Sequence, residues 1–232
     1  MKLPLWFRPR VRGRVIGPSF LFGVQMRTSV YIDGFNLYYR ALKGTPYKWL
    51  DLRALLSNLL QPQNKITEIK YFTAIVSGIF DPDQPIKQKT YIRAIEKYIP
   101  ELSVYYGPFL SHQISAPNAP LSSPPTFSNI IKTEEKGSDV NPAVHLLNDA
   151  WLEKYDCAII VSNDSDLSEP LHLIRQHHPK KIIGLISPLI TGHPSKELQK
   201  YAHFFKRIRK GVLKISQLPQ QIPGTNIHKP DR

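Results

Sequence analysis

Acidic side chains recur where apolar runs of this 232-residue chain end. Asp33 closes the run 28–32, Asp164 and Asp166 follow the run 157–161, and Asp139 opens the helical pattern before that second run. If the two runs are neighbouring parallel strands, the four carboxylates meet at one edge of a sheet and repel one another. A cation must relieve that repulsion, or some of the acids must take up protons.

Carboxylate oxygens are the ligands that Mg²⁺ and Mn²⁺ prefer. Such ions support phosphodiester hydrolysis because they lower the pKa of an attacking water and neutralise the leaving oxygen. Asn36 and Ser162 are placed to fix a carboxylate or a water, and Lys136 is placed to meet a phosphate oxygen. We therefore predict the following site: Asp33, Asn36, Asp139, Asp164 and Asp166 as catalytic residues, the four aspartates as ligands of Mg²⁺ or Mn²⁺, and Lys136 and Ser162 as substrate-binding residues.

A structural interpretation of the same acids stays open. Asp33, Asp139 and Asp164 all stand where a helix N-cap would stand. Asp166 could stabilise a helix dipole. Capping alone does not require acids at the same end of two strands, which favours the functional interpretation.

Alternating strand and helix patterns predict the scaffold that positions these residues. Strand-like runs occupy 28–32, 68–76, 102–106, 157–161 and 181–186, with an edge strand at 204–208, and helical patterns occupy 35–43, 51–60, 85–98, 140–153, 165–177 and 195–202. Short apolar strands between helices are typical of a parallel sheet covered on both faces. We predict an α/β fold with a doubly wound, parallel sheet of about five strands flanked by helices.

The predicted domain spans residues 27–218, after a basic N-terminal extension at 1–26 that is disordered or not native, and before a C-terminal tail at 219–232. Within the domain, the proline-rich segment 107–133 is predicted to be a long surface loop that is mobile or contacts a ligand.

The net charge of +13 is concentrated at the two ends of the chain. Residues 1–25 hold five basic and no acidic residues, and residues 201–232 hold seven basic residues and one acid. Basic ends on a nearly neutral body favour a polyanionic partner such as nucleic acid, although such ends also serve as solubilising segments. The basic cluster, Lys206, Arg207, Arg209 and Lys210, is a candidate grip for a phosphate backbone or simply a solvated edge.

Other classes of protein are disfavoured. The single cysteine, Cys157, cannot form an internal disulfide, which favours a reducing, cytoplasmic location. No run of 18 apolar residues is present, so we expect no membrane partner. Tyr38, Tyr39, Tyr105 and Tyr106 could stack on bases, although tyrosines in such elements are usually core or rim residues.

Three segments together resemble the NYN domain, a branch of the PIN-like ribonuclease superfamily. They are YIDGFNL at 31–37, EKGSD at 135–139 and SNDSDL at 162–167, and the similarity runs from about Thr28 to about Leu218. The resemblance implies a compact parallel-sheet nuclease fold, a metal site at Asp33, Asp139, Asp164 and Asp166, and RNA as the substrate.

The chain departs from the family pattern at His145, where members often carry an acid. His145 could ligate a metal or simply pack, and Asp149, one helical turn later, could substitute for the missing acid. The leading hypothesis is a metal-dependent ribonuclease. A non-catalytic RNA-binding or regulatory adaptor with a degenerate metal site is the alternative, a small-molecule phosphatase is a third, and a homo-oligomer stays open.

Overall fold

The structure is a computed structural model that describes residues 10–11, 14–15, 25–79, 81–120, 122–135, 137 and 140–230. Two predicted site residues, Lys136 and Asp139, lie outside the described residues, as does most of the predicted N-terminal extension. Within residues 1–24, the described part is a short antiparallel pairing of Arg10–Val11 with Arg14–Val15. Met26, the last residue of the predicted extension, already belongs to the first long strand.

Eight strands follow in the described part of the chain: β1 Met26–Asp33, β2 Asn64–Thr73, β3 Leu102–Tyr106, β4 Phe109–Pro117, β5 Phe127–Glu135, β6 Cys157–Val161, β7 Ile182–Ser187 and β8 Phe204–Arg207. Six of them form one parallel sheet in the order β8-β7-β6-β1-β2-β3. The predicted neighbours β1 and β6 do pair, with Ile32 opposite Val161. The sheet has six strands where about five were predicted, because the edge strand β8 continues it in parallel.

Helices cover both faces of the sheet: α1 Gly34–Leu37, α2 Leu52–Leu59, α3 Asp83–Tyr98, α4 Val140–Trp151, α5 Ser168–His177, α6 Lys196–Tyr201 and α7 Lys210–Ile215. A π-helical turn, Tyr38–Leu42, continues α1, and a 3₁₀ turn, Ser165–Leu167, precedes α5. One core cluster lies between the sheet and the α1, α2, α3 and α7 side, and the second lies between the sheet and the α4, α5 and α6 side. The predicted doubly wound α/β fold is confirmed.

Local sequence explains where individual helices begin. The Asp51 carboxylate accepts the Ala54 N–H at 2.9 Å and caps α2. Leu52, Leu55 and Leu56 then bury one face of that helix. Each such leucine stabilises the fold by about 1.5–3 kcal/mol when it leaves water.

The prediction of a loop across 107–133 was wrong. Strands β4 and β5 pair antiparallel from Phe109 opposite Glu135 to Pro117 opposite Phe127. The prolines at 120, 124 and 125 lie in the connection between the two strands. The backbone N–H groups that these prolines lack are therefore not needed for pairing within the hairpin. The result is a two-stranded hairpin that is separate from the main sheet.

The segment after Leu218 packs on the domain. Ile222 and Ile227 belong to a core cluster and are 1% and 6% exposed. The Trp49 indole donates to the Pro219 carbonyl at 2.7 Å, which ties this segment to the α2 side of the sheet. Across the described ranges, none of the helices is long and apolar enough to cross a bilayer.

Candidate active site

The strand order of the sheet reverses between β1 and β6. From β1 the chain continues to β2 and β3 on one side, whereas β6, β7 and β8 extend on the other. Ligands of doubly wound sheets bind in the crevice at the carboxyl ends of the strands where such a reversal occurs. Asp33 ends β1 at this point, and Ser162 directly follows β6.

Asp33 is held by groups on both sides of the crevice. Its Oδ1 accepts the Asn36 N–H at 2.9 Å, and its Oδ2 accepts the Ser162 hydroxyl at 3.1 Å. The carboxylate residue is only 6% exposed. Gly34 is required beside it, because a Cβ there would lie 2.7 Å from the Phe72 carbonyl oxygen. The tight exit of β1 therefore fixes where the Asp33 carboxylate stands.

Ser162 links the two strand ends. Its hydroxyl is fully buried; it donates to Asp33 and accepts the Asp164 N–H at 3.1 Å. Asp164 in turn accepts the Asp166 N–H at 3.1 Å and caps the 3₁₀ turn. Asp164 is half-buried and Asp166 is exposed. We call this set, Asp33, Asp164 and Asp166 at the carboxyl ends of β1 and β6, the acidic edge.

Two asparagines brace the loop that carries Asp164. Asn36 Oδ1 accepts the Asn163 N–H at 3.1 Å, which joins α1 to the end of β6. Asn163 Oδ1 accepts the Ser195 N–H at 2.9 Å and lies 3.4 Å from the Ser187 hydroxyl. Sequence analysis gave Asn163 no role, although an asparagine in the turn that follows a buried strand was a signal for such bracing.

The donor set of the acidic edge suits a hard divalent cation. In the described residues no group of three or more His, Cys, Asp or Glu side chains is close enough to hold a metal. Mg²⁺ is commonly held by one or two carboxylates together with waters and substrate phosphates, and it does not need an all-protein cage. Asp33 and Asp164 supply carboxylate oxygens, the kind of donor that Mg²⁺ and Mn²⁺ take.

Comparison with known proteins identifies the family. The model of the NYN domain matches residues 27–209. The chain belongs to the NYN domain family. The three segments that suggested this resemblance thus led to the correct family, and the fold is nuclease-like.

Two relatives extend the comparison. The chain is 36% identical over 226 residues to 6-hydroxy-3-succinoylpyridine 3-monooxygenase HspA of Pseudomonas putida, covering 86% of this chain and 72% of that protein. A crystal structure of a protein of unknown function from Vibrio parahaemolyticus superposes with a TM-score of 0.53 at 18% identity, over 81% of this chain and 96% of that one. At that identity the structural match shows the fold alone.

The basic cluster of this NYN domain lies on the same edge of the sheet as the acids. β8 is the third strand from β1, so Lys206 and Arg207 lie about 14 Å from the end of β1. Arg207 uses two donors on the loop after β7: Nε binds the Leu189 carbonyl at 2.6 Å and a terminal nitrogen binds the Gly192 carbonyl at 2.9 Å. Arg209 and Lys210 are exposed where α7 begins.

Asp149 is not a substitute metal ligand, and that suggestion was wrong. Its carboxylate is fully buried against the sheet, 2.5 Å from Lys70 Nζ and 2.8 Å from the Tyr31 hydroxyl. Burial alone would raise the pKa of Asp149, but hydrogen bonds from Lys70, Tyr31 and Lys154 outweigh it and hold that pKa below its usual range. Tyr31 precedes Asp33 by two residues, so this network lies about 7 Å inside the edge.

His145 belongs to the same buried network. Its Nδ1 lies 3.5 Å from Lys70 Nζ, and its ring centroid lies 4.2 Å from that of Tyr105. Burial and then the charge of Lys70 lower the pKa of His145. The helix face that sequence analysis connected with the metal site therefore packs on Lys70.

Proposed function

We propose that this NYN domain hydrolyses phosphodiester bonds of RNA at the acidic edge, with Mg²⁺ or Mn²⁺ as cofactor. The observation that carries the proposal is the hydrogen-bonded chain from Asp33 through Ser162 to Asp164 at the reversal of strand order. Membership of the NYN family supports RNA as the substrate. The basic cluster on the same edge of the sheet supports a polyanion.

In this proposal two side chains hold the cation, and two others orient the groups that hold it. Asp33 and Asp164 would hold the cation, which when bound supplies an activated water and neutralises charge on the leaving oxygen. Ser162 keeps the Asp33 carboxylate oriented from a fully buried position. Asn36 holds the Asp164 loop through the Asn163 N–H. Asp139 and Lys136 complete the site in this proposal, as metal ligand and phosphate contact.

Metal-dependent cleavage of end-labelled, single-stranded RNA tests the proposal. Cleavage should require Mn²⁺ or Mg²⁺ and should be lost in Asp164→Asn. Asp83→Asn is the matched control, because the same substitution there changes a 70% exposed side chain at the start of α3. Binding of RNA without metal-dependent cutting would favour the adaptor alternative.

The identity to HspA supports a second candidate, an oxygenase that acts on a hydroxylated pyridine carrying an acid side chain. A monooxygenase puts one oxygen atom of O₂ into the substrate and releases the other as water, with two electrons from a reductant such as a reduced nicotinamide. The test is oxygen uptake with 6-hydroxy-3-succinoylpyridine and NADH. Substrate-dependent uptake together with no cleavage of RNA would replace the ribonuclease proposal.

A further inference from the structure

Aromatic and cationic side chains form a row along α1 and its π turn, starting next to the acidic edge. Phe35, Tyr39 and Lys43 follow one another at intervals of four residues. The rings of Phe35 and Tyr39 are stacked, with centroids 6.1 Å apart and planes 21° apart. Lys43 Nζ lies 4.8 Å from the centroid of the Tyr39 ring. We call these three residues the aromatic ladder.

Core packing does not account for the outer end of the ladder. Tyr39 is 54% exposed, and Lys43 is exposed beside it. Tyr38 is half-buried and packs against the Tyr39 ring in a T-shaped arrangement, with ring centroids 5.3 Å apart. This contact helps to hold the exposed ring in place. An exposed ring that is already held by its neighbours needs little further ordering when a ligand binds.

The backbone of this segment is also unusual. Residues Tyr38–Leu42 form a π turn, closed by a bond from the Lys43 N–H to the Tyr38 carbonyl at 2.7 Å. π turns are rare and are found frequently at functional sites. Tyr39 lies within this turn, and Lys43 directly follows it.

The ladder begins at the acidic edge. Asp33 caps α1, and Phe35 stands two residues later. Tyr39 follows Asp33 by six residues, which is about 9 Å along a helix. Helical side chains lean toward the N-terminus of their helix, so both rings lean toward the acids. A group stacked on the ladder therefore lies about one nucleotide from the place where Asp33 would hold the cation.

We propose that the aromatic ladder stacks a base of single-stranded RNA next to the phosphate that is cut, with Lys43 facing the adjoining backbone. The inference rests on the proposed function, because it places the base relative to the acidic edge. Bases of a duplex are covered by their neighbours, whereas unpaired bases are free to stack on aromatic side chains. The ladder thus selects single-stranded substrate.

Equilibrium binding of a fluorescent single-stranded RNA in EDTA tests the ladder independently of cleavage. Tyr39→Leu keeps the bulk of the side chain but removes the ring, and should weaken binding by about 5- to 100-fold. Tyr39→Phe should bind like the wild type. Tyr98→Leu is the matched control. Tyr98 is also an exposed tyrosine, but it lies on a different helix, as the last residue of α3, about 24 Å from the first residue of that helix.

An abasic nucleotide walked along the same oligonucleotide locates the stacked base. At one position the wild type should lose affinity and bind as weakly as Tyr39→Leu, because the partner of the ring is missing. Equal affinities of Tyr39→Leu and wild type at every position would overturn the ladder, even if Mn²⁺-dependent cleavage persists. Tyr39-dependent binding without any cleavage would keep the ladder and remove the ribonuclease.

The last experiment tests whether the ladder binds 6-hydroxy-3-succinoylpyridine, the compound in the name of HspA, instead of an RNA base. If 6-hydroxy-3-succinoylpyridine binds in a Tyr39-dependent manner and RNA does not bind, the ladder serves a free heteroaromatic acid and the RNA assignment is overturned. If the compound fails to displace RNA, the assignment to a base is supported.

Discussion

Removal of the Ser162 hydroxyl should weaken both the fold and the metal site. The hydroxyl has no exposed surface and makes two hydrogen bonds of 3.1 Å, one to Asp33 and one from the Asp164 N–H. In Ser162→Ala the first bond is lost and the Asp164 N–H is left without its acceptor. A lost bond and an unsatisfied donor together cost about 1–3 kcal/mol of the free energy of unfolding.

The same change should reduce the apparent affinity for Mn²⁺. Groups that orient a metal ligand typically contribute about 10- to 100-fold in metal affinity or activity. We expect the Mn²⁺ concentration for half-maximal cleavage to rise by that factor, and the urea midpoint to fall with an unchanged m value.

Ser187→Ala is the matched control for this prediction. Ser187 is a fully buried serine at the end of the adjacent strand β7, but both of its contacts, to Asn163 and from the Leu189 N–H, are long at 3.4 Å. We expect it to lose less stability and to keep its Mn²⁺ requirement. The reasoning is refuted if Ser162→Ala loses stability while its Mn²⁺ requirement stays at the wild-type value.

Three further experiments probe the Lys70–Asp149 pair, His203 and the basic cluster. Asp149→Leu leaves Lys70 buried without this carboxylate and should cost about 3–5 kcal/mol in urea unfolding. Lys70→Met should cost less, because Asp149 keeps its ion pair with Lys154. The double variant should recover most of the loss of Asp149→Leu, and additive losses would contradict the pairing. Burial and then Arg175 lower the pKa of His203 to about 4, so the unfolded chain takes up its proton first and stability should fall as pH drops from about 6.5 to 4. His203→Gln should flatten that part of the stability curve, and an unchanged curve would exclude His203 as the cause. Neutralising Arg209 and Lys210 to Gln should reduce the slope of log affinity for single-stranded RNA against log salt by about 1.4, and an equal slope would exclude both as phosphate contacts.

The central sheet could be predicted because each strand is short, apolar and buried on both faces. The run 157–161 is buried at every residue and pairs on both sides, so no other element suits it. Composition was a poorer guide outside the sheet. Prolines suggested a loop at 107–133, and helix α7 was missed because six residues carry too little periodicity to separate them from the basic cluster.

Sequence analysis predicted that Asp33 and Asp164 lie at the same edge of the sheet, because each follows an apolar strand. In the structure those two strands pair, and Ser162 hydrogen-bonds to both residues. The same kind of pattern failed for Asp149, although it correctly placed Asp149 and His145 on one helix face. That face packs on Lys70, a lysine inside β2 that is only 2% exposed. Nothing in a strand pattern marks a lysine as buried, so the ion pair could be found only from the packing of α4 on the sheet.

Arg207 illustrates the same limit. Sequence analysis placed it with the basic cluster for its charge, yet its planar fork binds two carbonyls of the loop after β7. The loop geometry that offers those carbonyls is set by the whole α/β scaffold. Charge alone could mark Arg207 as a candidate phosphate contact, but not show which groups its donors bind.

Direct titration of Mn²⁺, followed by the loss of the free-ion electron paramagnetic resonance signal, tests the central claim most directly. The account predicts that the wild type removes the free-ion signal at concentrations where Asp33→Asn and Asp164→Asn leave it unchanged, while Asp83→Asn behaves like the wild type. Equal Mn²⁺ binding by all four proteins would contradict the shared metal site at the ends of β1 and β6.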